Sequence, residues 1–343
     1  MIEAHTVDSW TRVSSRGSTA YGDAIMLAGL AAPLFLWLAG VSIPLAAAAG
    51  VRRGLSRRAA AENVVKRGLE IFILAFLFRL QAFVLSPGAH PITLFRVDIL
   101  NVMGPAIVMA ALVCMLIDSN AMLVTAFTVL AVMVSMGTPI VRHLAVLERV
   151  PPLLQWYIRP SGDNTTFTSF PWIGFVFAGA AVGVLLSGVD TKRTERRLVT
   201  LVALTGLAAM AGGYYASTLP SIYADSSFWT TSPAYFAIRA GLLMTTLSVM
   251  FALERGVPAA VRVLRPLAHF GRASLFVYWI HVELVYGYAS WALRRRLPLW
   301  GIVIAYALFA AAMYGMVLLR DALVARWRGR DKQITFQYKA EAV

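Results

Sequence analysis

The chain alternates long apolar stretches with short polar gaps from residue 24 to residue 319. A run of about 18 or more apolar residues, at about 1.5 Å per helical residue, is long enough to cross a hydrocarbon core roughly 30 Å thick. The pattern predicts helices over Ala24–Ala49, Gly68–Ser86, Asp98–Ile117, Ala121–Pro139 and Trp172–Val189. Further helices are predicted over Leu198–Leu219, Ala234–Leu253, Ala273–Ser290 and Trp300–Leu319. The expectation is an all-α fold, a polytopic membrane bundle of about nine transmembrane helices with almost no soluble part.

Composition and charge sharpen this. Of 343 residues, 59% are hydrophobic and 14% charged, with a mean hydropathy of +0.69, whereas a soluble domain carries roughly 25% charge. The net charge of +14 would suit a nucleic-acid partner. However, Lys and Arg sit between apolar runs and not on one amphipathic face, so no nucleic acid is expected. Basic clusters around Arg52–Arg58, Lys192–Arg197, Arg255–Arg272 and Arg320–Lys339 fall in alternate gaps. Such gaps face the cytoplasm. Residues 1–23 then form an external segment, 24–319 the transmembrane domain and 320–343 a cytoplasmic tail. The triplet Arg294, Arg295 and Arg296 falls on the opposite side, and the charge rule does not account for it. An Ala- and Arg-rich bias fits a bacterial chain, which places it in the cytoplasmic (inner) membrane among membrane lipids. The single cysteine, Cys114, lies in an apolar run and can build neither a disulfide nor a CxxC site. The sequence has no P-loop, HExxH or GxSxG motif, and no metal is expected.

Ionisable residues inside membrane helices cost about 2.5–3.5 kcal/mol on insertion scales, so each needs a reason. The candidates are Arg79, Asp98, Arg239, His281 and Glu283. The predicted topology puts all of them in the middle or outer half of their helices, where they could line an outward polar cavity. The alternative is a set of structural salt bridges. Asp98 and Asn101, three apart, share a helix face, as do Ser274, Tyr278, His281 and Tyr288. His281 and Glu283 are two apart and point in different directions. Asp98 also stands just before an apolar run, where it can cap the helix. Near the start, Glu3, His5 and Asp8 put a histidine among carboxylates at the predicted outer face, as a general base requires. Taken alone, a histidine so close to a terminus reads as part of a frayed tail. His269 lies in a basic gap, where it can meet an anionic ligand or a lipid headgroup. External aromatics such as Trp156, Phe170 and Trp229 read as an interfacial belt or as substrate contacts.

Three strings carry a family resemblance: Ala32–Ser42 followed by Arg67–Phe72, then Phe170–Gly179, then Phe270–His281. Together they resemble the bacterial branch of the heparan-alpha-glucosaminide N-acetyltransferase family. The resemblance implies a bundle of about ten or eleven helices that takes acetyl-CoA, or another acyl-CoA, from the cytoplasm. It also implies delivery of the acyl group to a saccharide or amino-sugar acceptor on the far side. A histidine near the outer end of the first family helix is critical there, and His5 is the position that matches. That reading makes His5 the base or transient acyl carrier, with His281, Asp98, Asn101, Tyr278 and Glu283 around the pocket. Arg79 and Arg239 would hold the thioester oxygen or anionic groups of the acceptor, and Arg262, Arg265 and Arg272 the CoA phosphates. A helix that precedes this point in the family is missing here, so the chain reads as starting within that helix. The rival class is a transporter or lipid-linked-sugar flippase, and a third reading is an inactive scaffold of the same fold. Acceptor, acyl chain and oligomeric state stay open, a homodimer among the options.

The orientation is testable. Cysteines introduced at Ser56 and Thr194 are expected to resist an impermeant thiol reagent in intact cells, and one at Ser226 to label. Labelling at Ser56 from outside would reverse every assignment of side made above.

Overall fold

A computed structural model of the protein describes residues 1–85 and 88–340, and the side chains of these except 258, 260–262 and 328–340. Its helices begin with α1 (Ile2–Trp10), α2 (Thr19–Ala28), α3 (Ala31–Arg52), α4 (Arg57–Val84), α5 (Ile99–Leu116) and α6 (Asn120–Val141). There follow α7 (Pro152–Gln155), α8 (Ser169–Ser187), α9 (Lys192–Thr218), α10 (Pro233–Gly256), α11 (Pro258–Arg272), α12 (Ser274–Tyr286) and α13 (Leu299–Ala340). Among the described residues no β-strand forms, and the fold is all-α. Seven helical stretches among them are long and apolar enough to cross a membrane. These are Thr19–Arg52, Ile99–Leu116, Asn120–Val141, Ser169–Ser187, Lys192–Thr218, Pro233–Gly256 and Leu299–Trp327. The chain is a multi-pass membrane protein. The shorter helix α12 is apolar as well.

Every predicted run is helical, but the first, Ala24–Ala49, is divided at Gly29–Leu30 into α2 and α3; the other differences are at the ends. Helix α4 starts well before Gly68, because the Ser56 hydroxyl accepts from the Ala59 N–H and so caps a first turn of arginine and alanine. Helix α9 likewise starts before Leu198, capped by Thr191. Hydropathy misses these turns because they are helical but polar. It also misses α11, whose arginines and His269 fall on one side and whose apolar residues fall on the other. The predicted end at Ser86 lies outside the described residues.

The chain divides into two compact units, one of Met1–Gly29 with Gly256–Val343, the other of Leu30–Arg255. In the second unit α8 packs along α3 and α6, and α4 along α5. The α3–α8 contact is very close. A methyl group built at Gly40 would fall on the Val176 carbonyl, and one at Gly179 or Gly183 on the carbonyl of Trp37 or Val41. Only hydrogen fits there. Because lipid tails are as apolar as leucine, membrane helices gain little by hiding leucine, and small residues that bring backbones together supply the packing contacts. Trp37, Phe175 and Val176 are fully buried beside this seam.

Gly179→Ala should therefore push two backbones apart and destabilise the fold by about 1–3 kcal/mol, the usual cost of overpacking. Gly212→Ala, where the added methyl meets nothing within 4 Å, should be neutral or stabilising by up to about 1 kcal/mol from helix propensity. Thermal unfolding of the two variants in one detergent separates them; equal melting temperatures would refute the close-contact argument.

Candidate functional site

In the first unit, α1 is a docked element. Its last four carbonyls have no partner inside the helix, and each finds one outside. The Thr11 hydroxyl donates to the Val7 carbonyl at 2.6 Å, and the Arg16 guanidinium donates to that of Asp8. The backbone N–H of Arg295 donates to the Ser9 carbonyl at 3.0 Å, and those of Arg296 and Leu297 to the Trp10 carbonyl. Laterally, the Ser9 hydroxyl and the Trp10 indole donate to the Val285 carbonyl at 3.2 and 3.3 Å. Val7 and Trp10 are buried in one cluster with Val285 and Ile302. The frayed-tail expectation for the first residues is thus overturned. It failed because the partners lie some 275–290 positions away in sequence. The backbone of the arginine triplet thus lies against the C-terminal end of α1, whose carbonyls it satisfies.

This docking sets His5 beside α12. The His5 ring lies 5.2 Å, centroid to centroid, from that of His281, and 5.4 Å from the Tyr286 ring in an edge-on arrangement. His5 Nδ1 and the Tyr286 hydroxyl are 3.1 Å apart, and that hydroxyl donates to Asp8 Oδ2 at 2.8 Å. His281 is fully buried, with Nδ1 at 2.5 Å from the Val277 carbonyl. A carbonyl only accepts, so Nδ1 carries the proton there and Nε2 holds the lone pair. That Nε2 is buried without a hydrogen-bond partner. Tyr278 is buried with its ring 6.0 Å from His281, and Glu283 lies partly buried one half-turn on. His5, His281 and Tyr278 therefore share a locality, and α12 supplies its other wall. In the sequence Asp8 stands out only as a nearby carboxylate, and no spacing from His281 marks out Tyr286.

The other candidates belong to the second unit. Arg79 and Asp98 form an ion pair at 2.5 Å, both mostly buried, with 14% and 15% of their side chains exposed. Asp98 also caps α5: its carboxylate accepts from the Ile99 N–H, and its own N–H donates to Asn101 Oδ1 at 3.0 Å. Asn101 is buried, and its Nδ2 has no hydrogen-bond partner; burial raises the pKa of the Tyr157 phenol, an effect that Asn101 partly offsets. Arg239 lies 3.9 Å over the Tyr235 ring and donates to a Tyr235 hydroxyl at 2.8 Å. Thus the cations and anions do not all neutralise one another: Arg79 takes Asp98, and Arg239 takes an aromatic. Arg142, an external-gap arginine outside the candidate set, donates to the Thr168 hydroxyl and the Phe170 carbonyl and so anchors the start of α8. Burial lowers its pKa from the ordinary value. In α11, Arg265 and Arg272 are exposed, whereas the side chain of Arg262 lies outside the described residues. His269 approaches Asp321 at 3.6 Å.

Residues 1–214 match the model of the family described as heparan-alpha-glucosaminide N-acetyltransferase, catalytic. No curated protein matches the chain significantly. His5, Asp8, Arg79, Asp98 and Asn101 fall within the matched span, and α12 lies beyond it.

Breaking a buried pair by removing one charge costs about 3–5 kcal/mol, since the other charge is left behind. Asp98→Asn can keep the cap but strands Arg79, so it should destabilise by about that amount. Pairing it with Arg79→Met should recover most of the loss. A double variant no more stable than Asp98→Asn alone would show that the ion pair is not what holds these helices.

Proposed function

The chain belongs to the heparan-alpha-glucosaminide N-acetyltransferase family, and we propose that it moves an acyl group, acetyl above all, from cytoplasmic acyl-CoA to an envelope saccharide or amino-sugar acceptor. The observation that carries this reading is His5, held beside His281 by a docked helix in the part of the chain that matches the family. The orientation adopted is the one set by the basic gaps, with the C-terminus in the cytoplasm of a bacterial inner membrane.

As a base, the His5 imidazole takes a proton from the acceptor amine or hydroxyl while that atom attacks the thioester carbonyl. The tetrahedral intermediate then expels the CoA thiolate, which recovers the proton from the imidazolium. As a carrier, the same nitrogen attacks the thioester and expels the CoA thiolate; the acceptor then attacks the acyl-imidazole, the imidazole leaves, and the acceptor's proton passes to the thiolate. Both routes need a neutral imidazole with an accessible lone pair, and His5 is partly exposed whereas His281 is fully buried. His281, Tyr278 and Glu283 line the reacting region. Arg265 and Arg272, with Arg262, attract the CoA phosphates. Arg79, Asp98, Asn101 and Arg239 act within the second unit, where the first three hold the start of α5 and Arg239 is held by Tyr235.

His5→Ala in the purified full chain, assayed with labelled acetyl-CoA and glucosamine, should lower turnover by the order of 10²-fold or more. Its melting temperature should fall only modestly, because the His5 side chain is not part of the buried Val7–Trp10 cluster. Wild-type turnover in His5→Ala would sink the catalytic assignment and favour transport.

A further inference from the structure

The bonds behind His5 have a direction. The Tyr286 hydroxyl has one proton and donates it to Asp8 Oδ2 at 2.8 Å. Toward His5 it can therefore only accept, so the 3.1 Å contact requires His5 Nδ1 to be the donor. An imidazole with its proton on Nδ1 carries its lone pair on Nε2. Free histidine prefers the opposite tautomer, with the proton on Nε2, so the arrangement imposes a state that the ring would not choose unaided.

The parts are well placed to impose it. Asp8 stands one helical turn after His5 on α1, so both side chains share a face. Tyr286 is the last residue of α12. It is adjacent to Val285, whose carbonyl receives Ser9, Trp10 and Ser290. The same bonds that dock α1 therefore fix the reach of Tyr286 toward both partners.

We propose that Asp8 and Tyr286 are positioning residues for His5, a carboxylate–phenol–imidazole relay across α1 and α12 that holds Nδ1 protonated and presents Nε2 to the reacting groups. The inference rests on the acyl-transfer reading for its catalytic meaning, but the tautomer can be measured without it. Orienting a base through a hydrogen bond to its far nitrogen fixes the ring and its proton, and losing that bond leaves the base present but misdirected. The phenol adds a step that a carboxylate alone could not span, since Asp8 lies on the same helix as His5 and reaches it through Tyr286.

The experiment uses the full-length chain in nanodiscs, with ¹⁵N-labelled histidine and acetyl-CoA plus glucosamine as substrates. Only five histidines are present, and single His→Gln variants assign their ring nitrogens. The parent should show His5 as the Nδ1–H tautomer. Tyr286→Phe keeps the ring but removes the hydroxyl; Asp8→Ala keeps the hydroxyl but frees its proton to turn toward His5. Each should shift His5 toward the Nε2–H tautomer and lower kcat by the order of 10²-fold, with KM for acetyl-CoA within about two-fold. The double variant should lose no more than Tyr286→Phe, because both substitutions break one chain of bonds. Asp8 is exposed, so Asp8→Ala remains informative should Tyr286→Phe fold poorly. An Nε2–H tautomer in the parent overturns the relay whatever the activity. Full turnover in both variants, with His5→Ala inactive, overturns the relay and spares the acyl-transfer reading. Full turnover in His5→Ala overturns the acyl-transfer reading and the relay's catalytic meaning together.

Discussion

The site depends on where the last carbonyls of two helices find their donors. A helix leaves its final four C=O groups unbonded, and away from bulk water each must be satisfied by other groups of the protein. Helix α1 solves this with Thr11, Arg16 and the backbone of residues 295–297. Helix α12 solves it in part at Val285, whose fully buried carbonyl accepts from Ser9, Trp10 and Ser290. Two of those donors come from α1, so completing α12 is the same event as docking α1. Helix α1 depends on these partners at its C-terminal end. Held at its end and along its side, it becomes rigid enough to carry a reacting histidine.

The fold was largely legible because hydropathy is a local signal, and a membrane helix must be apolar over its whole crossing. What escaped was helical structure outside the apolar core: the polar starts of α4 and α9, and the amphipathic α11. For α11 the signal was present, as a 3.6-residue alternation of arginine with valine and leucine, but a window that averages hydropathy cancels it. The site was less legible. Asp98 standing before an apolar run pointed to a cap, and it caps α5. Whether Arg79 would meet Asp98 or another anion could not be read from depth alone, since depth does not say which helices are neighbours. For Tyr286 there was no signal: its hydroxyl joins residues 278 and 281 positions away.

The polar residues of the apolar helices answer their desolvation in different ways, and this separates structural groups from reactive ones. Arg79 and Asp98 spend their charge on each other, and Asp98 spends its remaining oxygen on the α5 N-terminus. Arg239 spends its charge on the Tyr235 ring and hydroxyl. Groups so engaged stabilise helix ends and crossings, but they offer a substrate little without first breaking a bond worth several kcal/mol in such surroundings.

Imidazole escapes this conflict. A neutral ring costs far less to bury than a carboxylate or a guanidinium, and it has two nitrogens with separate duties. His281 commits Nδ1 to the Val277 carbonyl and His5 commits Nδ1 to Tyr286, so each ring is fixed by one nitrogen and keeps the lone pair on the other. Of the two, His281 is sealed in the core, whereas His5 is reachable on the face of α1. A membrane protein that must keep a basic nitrogen neutral, oriented and accessible thus has good reason to use histidine on a docked helix face. The ends of α1 and α12 supply the geometry.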